Sequence, residues 1–157
     1  MCYFAHLGVR IVDDQRRFPD PAVFATDVQR SANESGFALE PLIPVSGSFL
    51  SRAMASYQLR FTFHVGHCAC DWAEDEIKRV KQLVSRILTA REVKAVTFLL
   101  YMIDGPLAES TPSPPNSPPH SIDVSTKEFV VQRDLRDKIS IVRRSAGEVP
   151  STSLRSI

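Results

Sequence analysis

Alternation of apolar and polar residues predicts β-strands along the chain. Residues 1–12 place an apolar side chain at every second position, and residues 58–65 repeat the alternation. This period is typical of a strand with one buried face. Residues 94–103 predict a further strand, which ends before Asp104-Gly105-Pro106. Residues 37–43 predict an edge strand, because Pro41 would remove a hydrogen bond from the interior of a sheet.

Two segments carry helical signals. Asp20 and Pro21 suit the cap and first turn of a helix that ends near Gly36. The segment that begins at Asp71 has a capping-box arrangement and continues to about Arg91. Its apolar residues recur at helical spacing: Ala73, Ile77, Val80, Val84 and Ile87.

The resulting order, β-α-β-β-α-β, predicts an α+β fold with a ferredoxin-like core. In that core the sheet is antiparallel, both helices cover one face, and the first and third strands are central neighbours. The predicted buried positions are Leu59, Phe61, Phe63, Ile77, Val80, Val84, Val96, Phe98 and Leu100.

Beyond the core, the sequence predicts three segments. Residues 106–121 are rich in proline and serine and are expected to form a flexible loop. Residues 128–132 and 138–142 are short β-rich runs, predicted to pair as an appended C-terminal β-hairpin. Residues 145–157 are expected to be a disordered tail, so residues 1–144 would form a single domain.

Composition narrows the classes of function. The chain has 157 residues and a net charge of +1, so we expect neither nucleic acid nor a membrane as its partner. No apolar run approaches the roughly 18 residues of a membrane-spanning helix. The N-terminus lacks the pattern of a signal peptide, and three cysteines make a poor disulfide framework. We therefore expect a cytoplasmic protein.

One segment concentrates side chains that bind metals or react as thiols. It reads His64-Val65-Gly66-His67-Cys68-Ala69-Cys70, where a strand gives way to a helix. Antiparallel pairing of the first and third strands would bring Cys2 to the same end of the sheet. Zinc prefers four thiolate and imidazole ligands. The pattern predicts a Zn²⁺ site drawn from Cys2, His64, His67, Cys68 and Cys70.

Two other interpretations of the cysteines stay open. Cys68 and Cys70 could be small buried side chains at a strand–helix junction. Alternatively, a helix N-terminus favours a thiolate, and His67 could serve as its base. The chain would then be a small thiol-dependent enzyme that uses Cys2 or the Cys68/Cys70 pair as nucleophile or redox couple.

The opening Met1-Cys2 resembles the start of glutamine amidotransferases that use an N-terminal cysteine nucleophile. The resemblance implies that removal of Met1 would expose the Cys2 amine as a base. In that family a glycine follows the cysteine, whereas here the next residue is Tyr3.

The face of the sheet opposite the helices offers another interpretation. Phe4, Arg10, Arg60 and Tyr101 could form an aromatic and basic platform like that of RNA-recognition domains. The third strand lacks that family's Gly-aromatic-Gly pattern, and an ordinary half-exposed face or an oligomer contact also fits. The leading hypothesis is a non-enzymatic partner-binding or regulatory protein, with a protein partner or a second copy of itself, that carries the zinc site.

Overall fold

A computed structural model of the chain describes residues 2–12, 20–43, 46–64, 69–103, 120–129, 138–145 and 147–150. In chain order, its elements are β1 (Cys2–Ile11), α1 (Pro21–Glu34), β2 (Ala38–Pro41), α2 (Phe49–Ala53), β3 (Leu59–His64), a 3-10 turn (Ala69–Asp71), α3 (Glu74–Thr89), β4 (Val93–Ile103), β5 (His120–Ser125) and β6 (Lys138–Arg143).

The strands form one six-stranded sheet in the order β2-β3-β1-β4-β6-β5. β1 is antiparallel to both β3 and β4, and Leu7 pairs with Phe61 on one side and Phe98 on the other. The predicted pairing of the first and third strands is therefore confirmed, as is the α+β class. The sheet is mixed rather than antiparallel, because β5 and β6 run parallel.

The predicted C-terminal hairpin is wrong. β6 pairs with β4, and its other neighbour is β5, which begins at His120. Glu128 and Phe129 lie in the turn that follows β5, where both backbone N–H groups donate to the Ser125 carbonyl. Phe129 is buried and packs against Phe98 with ring centroids 5.8 Å apart. Within the described part of this run, the apolar side chain of Phe129 therefore packs into the core from a turn.

Two predicted segments lie largely outside the described residues. Of the proline-rich segment 106–121, only His120 and Ser121 are described, and both belong to β5. Of the predicted tail 145–157, Ser145 and residues 147–150 are described, and the Ser145 N–H donates to the Glu148 carboxylate at 2.6 Å.

Local signals explain where the long helices begin and end. The Asp20 carboxylate accepts from the Ala22 N–H at 3.0 Å, and α1 stops before Gly36, whose φ of 82° favours glycine. α3 begins later than predicted, after Ala73. The Glu76 carboxylate accepts from the Ala73 N–H at 2.7 Å, which is half of a capping box.

The main core lies between the sheet and helices α1 and α3. Its centre is aromatic: Phe63 lies 5.5 Å from Phe37, 5.8 Å from Trp72 and 6.0 Å from Phe98 by ring centroids. All the predicted core residues are buried here except Ile77, which is partly buried against the cluster. Helix and strand residues that share this cluster include Leu7, Val9, Phe24, Val28, Ala32, Val80, Val84 and Ile87.

The opposite face of the sheet has a smaller cover. Leu50, Met54 and Tyr57, from α2 and the turn after it, form a second buried cluster with Leu99 of β4. Gly8 permits this contact. A β-carbon at Gly8 would lie 2.6 Å from Thr97 Cγ2 and 2.9 Å from Tyr57 Cγ, so any side chain there would displace the cover.

Candidate functional site

One end of the sheet gathers part of the predicted zinc cluster. Cys2 begins β1, where its backbone pairs with Ile103, and His64 ends the antiparallel neighbour β3. The 3-10 turn that contains Cys70 contacts β1. The backbone of Cys2 and that of His64 thus lie towards one end of the sheet.

His64 is the one predicted ligand whose side chain is described. It is exposed, and its Nδ1 lies 3.4 Å from the Glu40 carboxylate on β2. The side chains of Cys2 and Cys70, and all of His67 and Cys68, lie outside the described part of the chain. Within that part, no three histidine, cysteine, aspartate or glutamate residues are grouped as a metal site would require.

His6 occupies the α2 side of the sheet, where its side chain is buried. It is 2% exposed, and its Nδ1 lies 3.0 Å from the Thr62 hydroxyl. Burial lowers the pKa of His6 from its ordinary value to about 4, because the ring loses the water that stabilises its charge. His6 Nε2 has no hydrogen-bond partner among the described residues.

The predicted aromatic and basic platform is interrupted at its middle. Tyr57 and Met54 lie against Gly8 at the middle of β1, so bases could not stack across the central strands there. Phe4 is 41% exposed, and the side chain of Tyr101 is outside the described part of the chain. What the sequence interpretation missed is the role of α2, a helix of one or two turns with too little periodicity to reveal which face it would cover.

Arg10 and Arg60 instead hold the turn that follows α2. Arg10 Nε donates to the Ser56 carbonyl at 3.3 Å, and Arg60 Nε donates to the next carbonyl, that of Tyr57, at 3.0 Å. The Arg10 guanidinium carbon also lies 5.8 Å from the centroid of the Tyr57 ring. The turn therefore brings the two guanidinium groups onto adjacent backbone acceptors.

A pocket of about 410 Å³ opens where β2 ends beside β3 and α1. Ile43 at its rim is 90% exposed, which is unusual for an isoleucine. Arg60 is the charged residue in its wall. The full lining is Ala25, Pro41, Leu42, Ile43, Gln58, Leu59, Arg60 and Phe61.

The outer side of β2 is protected against pairing with another strand. The Leu42 N–H points inward to the Arg60 carbonyl, so by alternation the backbone of Leu39 and Pro41 points outward. Pro41 has no N–H to offer, and the Gln29 amide donates to the Leu39 carbonyl at 3.0 Å. Both features limit strand addition at an exposed sheet edge.

No family model matches the chain, and neither a curated protein nor a solved structure matches it significantly. Among the described residues, no helix is long and apolar enough to cross a membrane. Function is therefore inferred from the geometry of the sites themselves.

Proposed function

We propose that the protein is a small cytoplasmic, non-enzymatic protein that binds a polypeptide partner through the pocket at the end of β2. The observation that carries this proposal is the apolar wall of that pocket together with the exposed Ile43. A cavity that is mainly apolar, with a few polar groups to orient a ligand, is typical of binding sites. Exposed apolar surface lowers solubility, and a partner that covers it removes that effect.

The chemistry of the pocket indicates the kind of segment it takes. Gln29 and Pro41 limit strand addition along β2, so the partner is expected to insert side chains instead of pairing its backbone. Leu42, Ile43 and Phe61 supply apolar contacts, and Arg60 supplies positive charge. The fitting segment therefore presents an apolar side chain next to an anionic one.

Selection from a peptide library tests this proposal. Random peptides of about a dozen residues are selected on the full-length protein, and the binding of one enriched peptide is measured by fluorescence anisotropy. We expect enriched peptides to combine apolar and acidic residues. Leu42→Ser and Ile43→Ser should each weaken binding about tenfold or more, since a buried apolar contact contributes about 1.5–3 kcal/mol.

The matched control is Val149→Ser, which also removes an exposed apolar side chain but away from the pocket. It should leave the affinity unchanged. Selected peptides that bind the Leu42 and Ile43 variants as tightly as the original protein would contradict the proposal. Failure to enrich any peptide would contradict it as well.

We further propose that zinc binds at the end of the sheet, with ligands from Cys2, His64, His67, Cys68 and Cys70. The contact between His64 and Glu40 supports this site, because histidines that bind metals commonly pair their second ring nitrogen with a carboxylate. Glu40 at Nδ1 leaves Nε2 of His64 for the metal. Such a site would link the partner-binding surface to a regulatory or structural metal.

Elemental analysis of the native protein tests the metal site. We expect zinc near one equivalent, loss of zinc in Cys68→Ser and His64→Ala, and a lower melting temperature on addition of a chelator. Glu40→Gln should weaken zinc binding without abolishing it. A protein that purifies without metal, and whose melting temperature does not change when a chelator is added, would contradict the zinc site. Fast alkylation of its cysteines would then favour the thiol-dependent enzyme.

We also propose that β1 to β4 with α1 and α3 form a ferredoxin-like unit, within a single domain that spans residues 1–144. The order β2-β3-β1-β4 supports this assignment, since each neighbouring pair in that order is antiparallel. α2, β5 and β6 would then be additions to the unit.

A further inference from the structure

Arg10 and Arg60 differ from Arg86 and Arg143, whose charges are paired with carboxylates. Arg86 lies 2.6 Å from the Glu34 carboxylate, and Arg143 lies 2.9 Å from that of Asp123. Arg10 and Arg60 make no ion pair with any described carboxylate. They contact the backbone carbonyls of the turn after α2 and, for Arg10, the Tyr57 ring.

The backbone geometry places these two charges together. Gly8 pairs directly with Arg60 across β1 and β3, so Arg10, two residues farther along β1, is the diagonal neighbour of Arg60 on the same face. Both side chains then reach consecutive carbonyls, those of Ser56 and Tyr57. Each bond uses Nε, which leaves the terminal Nη groups available to a ligand.

Positive charges at diagonal positions on one sheet face repel each other, and the two backbone carbonyls compensate these charges only in part. Both are half-buried, so water screens the repulsion less than it would at an open surface. A bound anion removes this repulsion. It also accepts charge-assisted hydrogen bonds from two planar guanidinium groups. The turn orients both guanidinium groups before the anion binds, so less conformational entropy is lost on binding.

We propose that Arg10 and Arg60 form a binding site for a phosphate group. A phosphate carries close to two negative charges near neutral pH and presents several acceptor oxygens, which matches two guanidinium groups better than a single carboxylate does. Arg60 also lines the apolar pocket, so a phosphate attached to an apolar group could occupy both at once. That last step rests on the proposed function, whereas the anion site stands without it.

The direct test uses the unmodified protein and inorganic phosphate. The Nε–Hε signals of the arginines are followed by NMR while phosphate is added at constant ionic strength. We expect saturable shifts at Arg10 and Arg60, and none at Arg86 or Arg143, whose partners are carboxylates. Equal, non-saturating shifts at all four arginines would overturn the proposal.

Variants give an independent measure. Arg10→Gln and Arg60→Gln should each weaken phosphate binding about tenfold or more, because one charge-assisted hydrogen bond is lost. Arg60→Lys keeps the positive charge but lacks the planar guanidinium group, so it should also weaken phosphate binding. Lys94→Gln removes a positive charge from an exposed position on β4 and serves as the control. Equal losses in Lys94→Gln would mean that net charge alone attracts phosphate, which contradicts a built site.

Phenyl phosphate separates this inference from the proposed function. If both are right, phenyl phosphate binds more tightly than inorganic phosphate, and Leu42→Ser removes only the difference. If the pocket proposal fails, the two ligands bind equally and still depend on Arg10 and Arg60. If neither ligand needs these arginines, the anion site is wrong, whatever the pocket binds.

Discussion

The two faces of the sheet are built from different chemistry. On the α1/α3 face, Phe63, Trp72 and Phe98 form a buried aromatic centre under two long helices. On the α2 face, a small apolar cluster adjoins a buried histidine and two arginines that lack carboxylate partners among the described residues. The first arrangement maximises the burial of apolar surface. The second arrangement keeps a buried histidine and two half-buried arginines beside the apolar cluster.

This contrast suggests that one face supplies stability and the other supplies binding groups. The α1/α3 face supplies the hydrophobic stabilisation that holds the sheet, because apolar burial scales with the area removed from water. The α2 face positions Arg10 and Arg60 by means of a short helix and one turn, and the pocket lies at the edge of the sheet, lined by Arg60 together with Ala25 of α1. Substitutions on the α1/α3 face should therefore lower stability, whereas substitutions of the arginines on the α2 face should lower binding.

The largest effect on stability is expected for Phe63→Ala. Phe63 is fully buried among three aromatic rings, and its truncation leaves a cavity in the main core. We expect a loss of about 3–5 kcal/mol in the free energy of unfolding, measured by urea denaturation. Phe4→Ala, at a 41% exposed position on the other face, should cost less than about 1 kcal/mol. Similar losses of stability in Phe63→Ala and Phe4→Ala would contradict the claim that the α1/α3 face supplies most of the stability.

Gly8→Ala is expected to have the next largest effect. The new methyl group would meet Thr97 Cγ2 at 2.6 Å and the Tyr57 ring at 2.9 Å. Overpacking of this kind costs about 1–3 kcal/mol, and here it would push the turn after α2 away from the sheet. Adding Thr97→Ser removes the closer methyl group but keeps the hydroxyl that donates to the Ser140 carbonyl. The double variant should recover part of the stability, and no recovery would mean that the clash lies elsewhere.

The buried His6 makes stability depend on pH. Its pKa of about 4 in the folded protein lies below the ordinary value of 6.5, so folding favours the neutral ring. That contribution is complete above about pH 6.5 and is lost as the pH falls towards 4. Between about pH 7.5 and pH 5 the loss is about 2 kcal/mol.

Urea denaturation at several pH values measures the His6 effect. His6→Gln should remove this part of the pH dependence, while His64→Gln, at an exposed position, should keep it. An unchanged pH profile in His6→Gln would show that the ring is hydrated in solution.

The smallest effect on stability is expected for Arg60→Gln. Arg60 is half-buried and donates one hydrogen bond, to the Tyr57 carbonyl. Its loss should cost about 1 kcal/mol or less, since a charge-charge repulsion with Arg10 is removed at the same time. Phosphate binding should nevertheless fall strongly. A large loss of stability with unchanged phosphate binding would mean that Arg60 stabilises the fold and does not bind the anion.

Much of the α1/α3 face was predictable because both of its periodic signals are long. The alternation in β1 and β3 and the helical spacing in α3 each repeat several times, so Phe61, Val80 and Val84 were placed correctly in the core. Caps at Asp20 and near Gly36 also fixed the ends of α1. The end of α3 was overestimated by two residues, since helix ends fray.

The C-terminal strands and the α2 face were harder to predict. β5 begins inside a proline-rich segment whose composition predicted a loop, and its parallel pairing with β6 leaves no local turn signal. Phe129 gave a false strand signal from a buried turn. The alternation in β1 and β3 placed Arg10 and Arg60 on one face, but their hydrogen bonds to the carbonyls of the turn after α2 depend on tertiary packing that sequence spacing does not encode.

The most direct test of the division between the two faces is an amide shift map of the intact protein with saturating phenyl phosphate. We expect the largest shifts at Gly8, Arg10, Leu42, Ile43 and Arg60, around the turn after α2 and the pocket. Residues under α1 and α3, such as Val84 and Phe98, should shift little. Shifts concentrated in the aromatic core around Phe63 and Phe98, or spread evenly over the surface, would contradict the claim that Arg10, Arg60 and the edge pocket form the binding site.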